Sequence, residues 1–346
     1  MPIRAAELRS DLRLNQLHQW LAGLATRHGL DPDSLQSASA DASARRYFRV
    51  AAPSQACGSL IVMDAPPPEK CREFAQVAAL MTTAGLHVPH ILASDFDQGF
   101  MLLSDLGSTV YLDVINESNA QPMMLAALDS AITWQQASRP DVLPVYDEAL
   151  LRREMGLFPE WYLGRHLGQD VNDPKLQATL ESVFAPLVRS ALAQPQVFVH
   201  RDFMPRNLMV ATPQPGVLDF QDAVYGPIAY DVVSLFRDAF VSWDEALELD
   251  CVARYWERAR KAGLPVRDDF AEFYREYEWM GLQRHLKVLG IFARLWYRDR
   301  KPRYLADTPR FTAYARKVAL RYRELAPLAR LLDQIEGRVA EVGYTF

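Results

Sequence analysis

Leu8, Leu12, Leu17, Trp20, Leu21 and Leu24 recur at close to helical period and predict an amphipathic helix over residues 5–29, which Gly29 ends. The pattern then changes. Tyr47-Phe48-Arg49-Val50 and Leu60-Ile61-Val62-Met63 read as strands. Pro66-Pro67-Pro68 breaks the chain, and a helix is expected from Glu69 to Thr83, with Gly85 as its stop. Val88 to Ala93 and Phe100 to Leu103 add two strands. From residue 109 onward the period is mostly helical, with helices expected at 125–137, 148–166, 176–193, 244–262, 268–297 and 308–335. One stretch interrupts them. Val197-Phe198-Val199, Leu208-Met209-Val210 and Val217-Leu218 are short apolar runs, and Gln214-Pro215-Gly216 is a turn signal between the last two. The result is an α+β chain, strand-rich early and helical late.

Composition narrows this little. The 346 residues are 49% hydrophobic and 23% charged, which is ordinary for a large globular protein. A net charge of −5 argues against a nucleic-acid partner, which calls for a basic surface. Cys57, Cys71 and Cys251 show no metal spacing, and a reducing compartment is expected. No window nears 18 apolar residues and the first residues carry no apolar signal core, so a cytoplasmic protein without a membrane partner is expected.

The chemistry lies in the interrupting stretch. Its polar residues fall at strand ends and in one loop, where a scaffold can aim them. His200-Arg201-Asp202 is followed by Asn207, and Leu218-Asp219-Phe220 comes after the next strand and turn. Phosphoryl-transfer enzymes use this spacing: an Asp for the attacking hydroxyl, then an Asn and a second Asp for magnesium. Read without that context, Asp202 is a turn residue, Asn207 a strand cap and Asp219 a loop start. Gly226-Pro227-Ile228-Ala229-Tyr230-Asp231 follows closely, with no room for a long activation loop.

On these residues the chain resembles the aminoglycoside phosphotransferase and choline kinase family, a small-molecule branch of the protein-kinase-like fold. The resemblance implies a bilobal α+β protein: an N-lobe over 1–103, a hinge at 104–108 and a helical C-lobe over 109–346, with the active site between lobes. It implies ATP and Mg2+ as cofactors, Asp202 as catalytic base, and Asn207 and Asp219 as metal ligands. His200 would brace the loop. Asp231 would brace it too, or cap the helix that follows. Ser104, Asp105 and Leu106 would meet the purine. The turn Asp41 to Arg46 stands where kinases carry a glycine-rich loop, so Ser43, Arg45 and Arg46 are candidates for the phosphates. The two arginines also read as an exposed strand end. Arg201, Asp222, Arg284 and His285 are candidate substrate residues.

Met63 stands where such kinases place a strand lysine. Arg46, Arg49 or Lys70 would supply the missing charge, and Glu73 holds the place of the glutamate that normally pairs with that lysine. Asp-Ala-Ser-Ala-Arg-Arg from 41, Val-Met-Asp-Ala-Pro from 62, Leu-Leu-Ser-Asp-Leu-Gly from 102 and Gln-Arg-His-Leu-Lys from 283 resemble the bacterial anomeric kinases of N-acetylmuramic acid and N-acetylglucosamine, in which Met at that position is normal. This implies transfer to the sugar C1 hydroxyl, for cell-wall recycling and UDP-sugar synthesis, by a monomer. The cations Arg284, Lys287, Arg294, Arg298, Arg300, Lys301 and Arg303 disfavour a polycationic substrate and suit a carboxylate. Trp161, Tyr162, Trp279, Trp296 and Tyr297 would instead suit a quaternary ammonium, or serve as core. The alternatives are a kinase of another small hydroxyl compound (aminoglycoside, choline or homoserine type) and a non-catalytic nucleotide-binding module.

Overall fold

The computed structural model describes residues 11–40, 45–213 and 215–337. Ser43 and the rest of the 41–44 turn lie outside them, as does Gln214. Contacts group the chain into two units, and the first is discontinuous. It takes the chain up to Asn116 together with Arg206–Asp222, and the second takes Glu117–Pro205 and the chain from Ala223 on. The sequence expectation had divided the chain once, at a hinge.

The first unit opens with α1 (Leu12–His28). Asp11 caps it by accepting from the Leu14 N–H at 3.0 Å, and Gly29 ends it with a φ of 64°. Five antiparallel strands follow: β1 (Asp31–Ala40), β2 (Arg46–Ala51), β3 (Ser59–Asp64), β4 (Ile91–Asp95) and β5 (Phe100–Ser104), in the order β1-β2-β3-β5-β4. Between β3 and β4 runs α2 (Cys71–Ala84). Alternation gives the sheet two faces. Phe48, Val50, Leu60, Val62, Phe100 and Leu102 face Leu14, Leu17 and Leu21 of α1 in one core. The other face carries the rows Tyr47–Met63–Met101 and Arg49–Ile61–Leu103. The short helix α3 (Tyr111–Val114) ends the first segment. The second segment is a small hairpin, β7 (Leu208–Met209) and β8 (Gly216–Val217). The Val217 N–H donates to the His87 carbonyl at 2.8 Å and that of Val210 to Thr109 at 2.9 Å, tying the hairpin to the unit that sequence order separates it from.

The second unit is helical: α4 (Ala120–Gln136), α5 (Glu148–Leu157), α6 (Pro174–Ala193), α7 (Tyr230–Phe236), α8 (Glu245–Lys261), α9 (Phe270–Tyr297), α10 (Thr308–Arg321) and α11 (Ala326–Glu336). Among the described residues its strand pair is β6 (Gln196–Val199) with β9 (Val224–Pro227). The central helix is α9, which packs against α5, α6, α7 and α10 and is buried along most of its length. A Cβ at Gly290 would lie 2.3 Å from the Leu157 carbonyl, so only glycine permits this approach of α9 to α5. Two expected helices differ in detail. The helix expected over 148–166 turns π-helical at Phe158–His166, where Pro159 lacks an N–H for the α ladder. The one expected over 308–335 breaks at Tyr322, which is extended, and restarts with Pro327 in its first turn. No helix among the described residues is long and apolar enough to cross a membrane.

Candidate active site

A cavity of about 280 Å³ opens within the first unit on the sheet face opposite α1. Tyr47, Arg49, Ile61 and Leu103 form its sheet wall, and Ser104 to Ser108 form one rim. Asn207, Met209, Leu218, Asp219 and Phe220 come from the hairpin and its flanks. Three of the residues expected at the purine therefore border the same cavity as both candidate metal ligands. Asp105, however, is turned to structure. It accepts from Arg49 Nε at 2.6 Å, Ser59 Oγ at 2.6 Å and the Gly107 N–H at 2.9 Å. Burial alone would raise its pKa, but Arg49, Ser59 and Gly107 hold the carboxyl below the usual range. Arg49 also donates to the Gly107 carbonyl at 2.8 Å, which fixes the rim. Neither the N–H nor the carbonyl of Leu106 is hydrogen-bonded among the described residues, so that pair remains for a planar donor–acceptor edge.

Asp219 sits at a φ of 62°, a left-handed conformation unusual for a non-glycine residue. Gln221 Nε2 donates to its Oδ1 at 2.9 Å, and Arg45 Nη1 lies 3.9 Å from the same oxygen. Phe74 of α2 packs on Phe220 with centroids 4.8 Å apart, anchoring the segment just past Asp219. Among the described residues no three His, Cys, Asp or Glu side chains gather as a metal cage. The amide and carboxylate of Asn207 and Asp219 still suit magnesium, which keeps waters and substrate phosphates in its shell and needs few protein oxygens.

In the second unit, β6 leads directly into His200, Arg201 and Asp202. Asp231, at the start of α7, is buried and accepts the N–H of His200 at 2.7 Å and that of Arg201 at 3.0 Å. Burial pushes its carboxyl up to about 6, against the pull of His200 and these two donors. The bonds it makes belong to the bracing role; the cap that precedes α7 is Ala229, not Asp231. Arg201 has a φ of 77°, and this turn lets consecutive N–H groups converge on one carboxylate. His200 is buried, and its Nδ1 accepts the Asp202 N–H at 3.3 Å. The ring thereby fixes the backbone of Asp202, with Phe203 edge-on against it.

Arg201 sends its guanidinium inward to Glu154 of α5, a residue that no local sequence signal marked. Tyr146 Oη donates to the same carboxylate, and Lys287 Nζ of α9 lies 3.0 Å from it. Burial would raise the Glu154 pKa, yet Lys287 and Arg201 hold it down to about 2.

The remaining candidates lie elsewhere. Arg46 falls on the α1 face of the sheet, where Asp64 takes its Nη2 at 2.6 Å and Asp11 takes Nη1. Asp222 pairs with Lys70 at 2.9 Å. Arg284 and His285 are buried in α9. His285 stacks on Tyr314 at 5.0 Å, neither ring nitrogen has a hydrogen-bond partner among the described residues, and burial holds its pKa well below the usual value. Glu73 is exposed, while Glu69 at the approach to α2 pairs with Arg45 at 2.9 Å.

The chain is also similar to known proteins. The profile described as the phosphotransferase enzyme family matches residues 34–270. The N-acetylmuramate/N-acetylglucosamine kinase of Pseudomonas aeruginosa is 52% identical over 94% of this chain and 97% of its own. That of Neisseria meningitidis is 47% identical over 96% and 98%. Among solved structures, a choline/ethanolamine kinase family protein from Mesorhizobium loti matches with a TM-score of 0.62 at 16% identity, covering 93% of this chain and 99% of that one. The ADP-bound aminoglycoside phosphotransferase APH(2'')-Ib matches with a TM-score of 0.57 at 10% identity, covering 85% and 96%. At such identities the structures speak for a shared kinase-like α+β fold, while the profile and the close relatives place the chain by descent: it is a member of the phosphotransferase enzyme family.

Proposed function

We propose that this protein is an ATP-dependent kinase that phosphorylates the C1 hydroxyl of N-acetylmuramic acid and N-acetylglucosamine. One observation carries the reading: relatives named N-acetylmuramate/N-acetylglucosamine kinase are 47–52% identical over nearly the whole chain. ATP occupies the cavity of the first unit, with Leu106 offering its main-chain pair to the purine. Asn207 and Asp219 would hold Mg2+, which would supply charge neutralisation to the nucleotide phosphates. Asp202 accepts a hydrogen bond from the sugar C1 hydroxyl and takes its proton as transfer proceeds. An anomeric hydroxyl is more acidic than an ordinary alcohol, which eases the removal of its proton. His200 and Asp231 contribute by holding the loop, since positioning supplies much of the rate in phosphoryl transfer. The sugar 1-phosphate would feed UDP-sugar synthesis in cell-wall recycling, and use of ATP points to the cytoplasm.

The test is ADP release with Mg·ATP against N-acetylmuramate, N-acetylglucosamine, the methyl glycoside of the latter, choline, homoserine and an aminoglycoside. Turnover is expected on the two free sugars and not on the glycoside, whose C1 oxygen is blocked. Turnover confined to a cationic or amino-acid acceptor would overturn the sugar assignment.

A further inference from the structure

The strand that carries a phosphate-binding lysine in other kinases carries Met63 here, buried and without charge. The fold must obtain that charge elsewhere, and the sheet narrows the choice. Arg46 points to the α1 face and is taken by Asp64 and Asp11. Arg49 is on the cavity face but is committed to Asp105 and the Gly107 carbonyl at the rim that would hold the purine. Lys70 is largely exposed and pairs with Asp222.

Arg45 is also paired, to Glu69 and Tyr47, and differs from all three in where it stands. It precedes β2 in the same parity as Tyr47 and Arg49, and so continues the cavity face past the Tyr47–Met63 row. Its side chain is only 11% exposed. Nε donates to Glu69 Oε2 at 2.9 Å, while Nη1 lies 3.9 Å from Asp219 Oδ1. One end of the guanidinium is thus tethered to a carboxylate at the approach to α2, and the other end faces the carboxylate proposed to hold the nucleotide's metal. That is the arrangement of the missing lysine–glutamate pair, rebuilt with both partners moved: the cation from β3 to the start of β2, the acid from Glu73 to Glu69. Arginine suits the move, because its planar fork can keep Glu69 and still offer N–H groups to phosphate oxygens.

We infer that Arg45, positioned by Glu69, binds the nucleotide phosphates in place of the absent strand lysine. This rests on the kinase reading but not on which sugar is used. Calorimetric titrations of Mg·ATP and of AMP into the wild type, Arg45→Ala and Arg45→Lys, alongside initial rates on N-acetylglucosamine, test it. Arg45→Ala should weaken Mg·ATP by about ten- to hundredfold. It should lower kcat by roughly a hundredfold. AMP binding should hold within about twofold, because the charge addresses the outer phosphates. Arg45→Lys should recover part of both losses. Glu69→Gln should lower kcat more than it raises KM for ATP, as loss of aim does. Unchanged Mg·ATP affinity in Arg45→Ala would overturn the inference, and so would an equal loss for AMP, which would mean a role in pocket shape. A wild type that binds Mg·ATP yet ignores the sugars would overturn the substrate reading alone, since the Mg·ATP-to-AMP contrast still decides Arg45.

Discussion

Asp219 in the first unit and Arg201 in the second are both non-glycine residues in left-handed backbone, and the two are used in opposite senses. In the first, Asp219 at a φ of 62° presents its carboxylate to a cavity, beside a guanidinium and an amide. In the second, Arg201 at a φ of 77° buries its charge against Glu154 and gives its N–H to Asp231. Such conformations cost of order 1–3 kcal/mol each and persist only where surroundings enforce them. The first unit uses its strain to turn a carboxylate toward an open cavity. The second uses it to lock a loop, with the Arg201 charge answered by Glu154. The two proposed roles would therefore rest on different physics: partly buried pairs at the edge of a cavity, and a network buried around Glu154.

The comparison predicts that the two functions separate. Asp202→Asn should lower kcat by roughly 10²- to 10⁴-fold. Mg·ATP affinity, read by titration, should stay near wild type, and a parallel loss of both would erase the distinction.

Glu154→Ala tests the locked network. It strands Arg201 and Lys287 without their carboxylate, a loss of ~3–5 kcal/mol by the usual measure of a broken buried pair. Denaturant unfolding reads it. The same residue gives a pH signature. Its carboxyl titrates at about 2 in the folded protein against 4.5 ordinarily, so between those values the unfolded chain binds more protons. Its contribution is complete above pH 4.5 and is lost as pH falls toward 2. Glu154→Gln should flatten that limb of the stability curve, and an unchanged slope would show that the carboxylate is not held as described.

Arg49→Ala in the first unit should cost less, ~1–2 kcal/mol, because Asp105 keeps Ser59 and the Gly107 N–H. Its mark should fall on KM for ATP through the loosened rim, and a fall in kcat alone would speak against it. Arg46→Ala should be smallest, ~1 kcal/mol in unfolding, since Asp64 retains Arg13 and the pair with Asp11 is largely open to solvent. Nucleotide affinity should not move, because that side chain lies on the far face of the sheet.

What was legible in the chain was local. Asp202, Asn207 and Asp219 stand close together in sequence between short apolar strands, so their spacing was visible without a structure. Most helices were visible by period. Strand β1 was not, because Asp31–Ala40 is polar and Leu35 is its buried apolar residue, as befits an edge. The pairings Arg45–Glu69, Arg49–Asp105 and Glu154–Arg201–Lys287 were invisible for a different reason. Periodicity reports which face a residue occupies, not which distant residue it meets. Arg284 and His285 show the same limit: they read as candidate substrate residues, and periodicity did not show that α9 is buried on nearly every side.

The return of Arg206–Asp222 to the first unit bears on how the protein is made. A ribosome delivers the five-stranded sheet early, but the hairpin that brings Asn207 and Asp219 emerges only after the whole of Glu117–Pro205. Until then the cavity lacks the side that Asn207, Met209, Leu218, Asp219 and Phe220 supply. The nascent N-terminal portion is therefore a sheet awaiting a late piece, and a chain truncated before Arg206 would lack the groups proposed to hold the metal. Long-range closures of this kind are slow to form and are where assembly goes astray. In this protein the capacity to bind ATP would arise late in synthesis, close to the moment when the second unit acquires its own β9 strand.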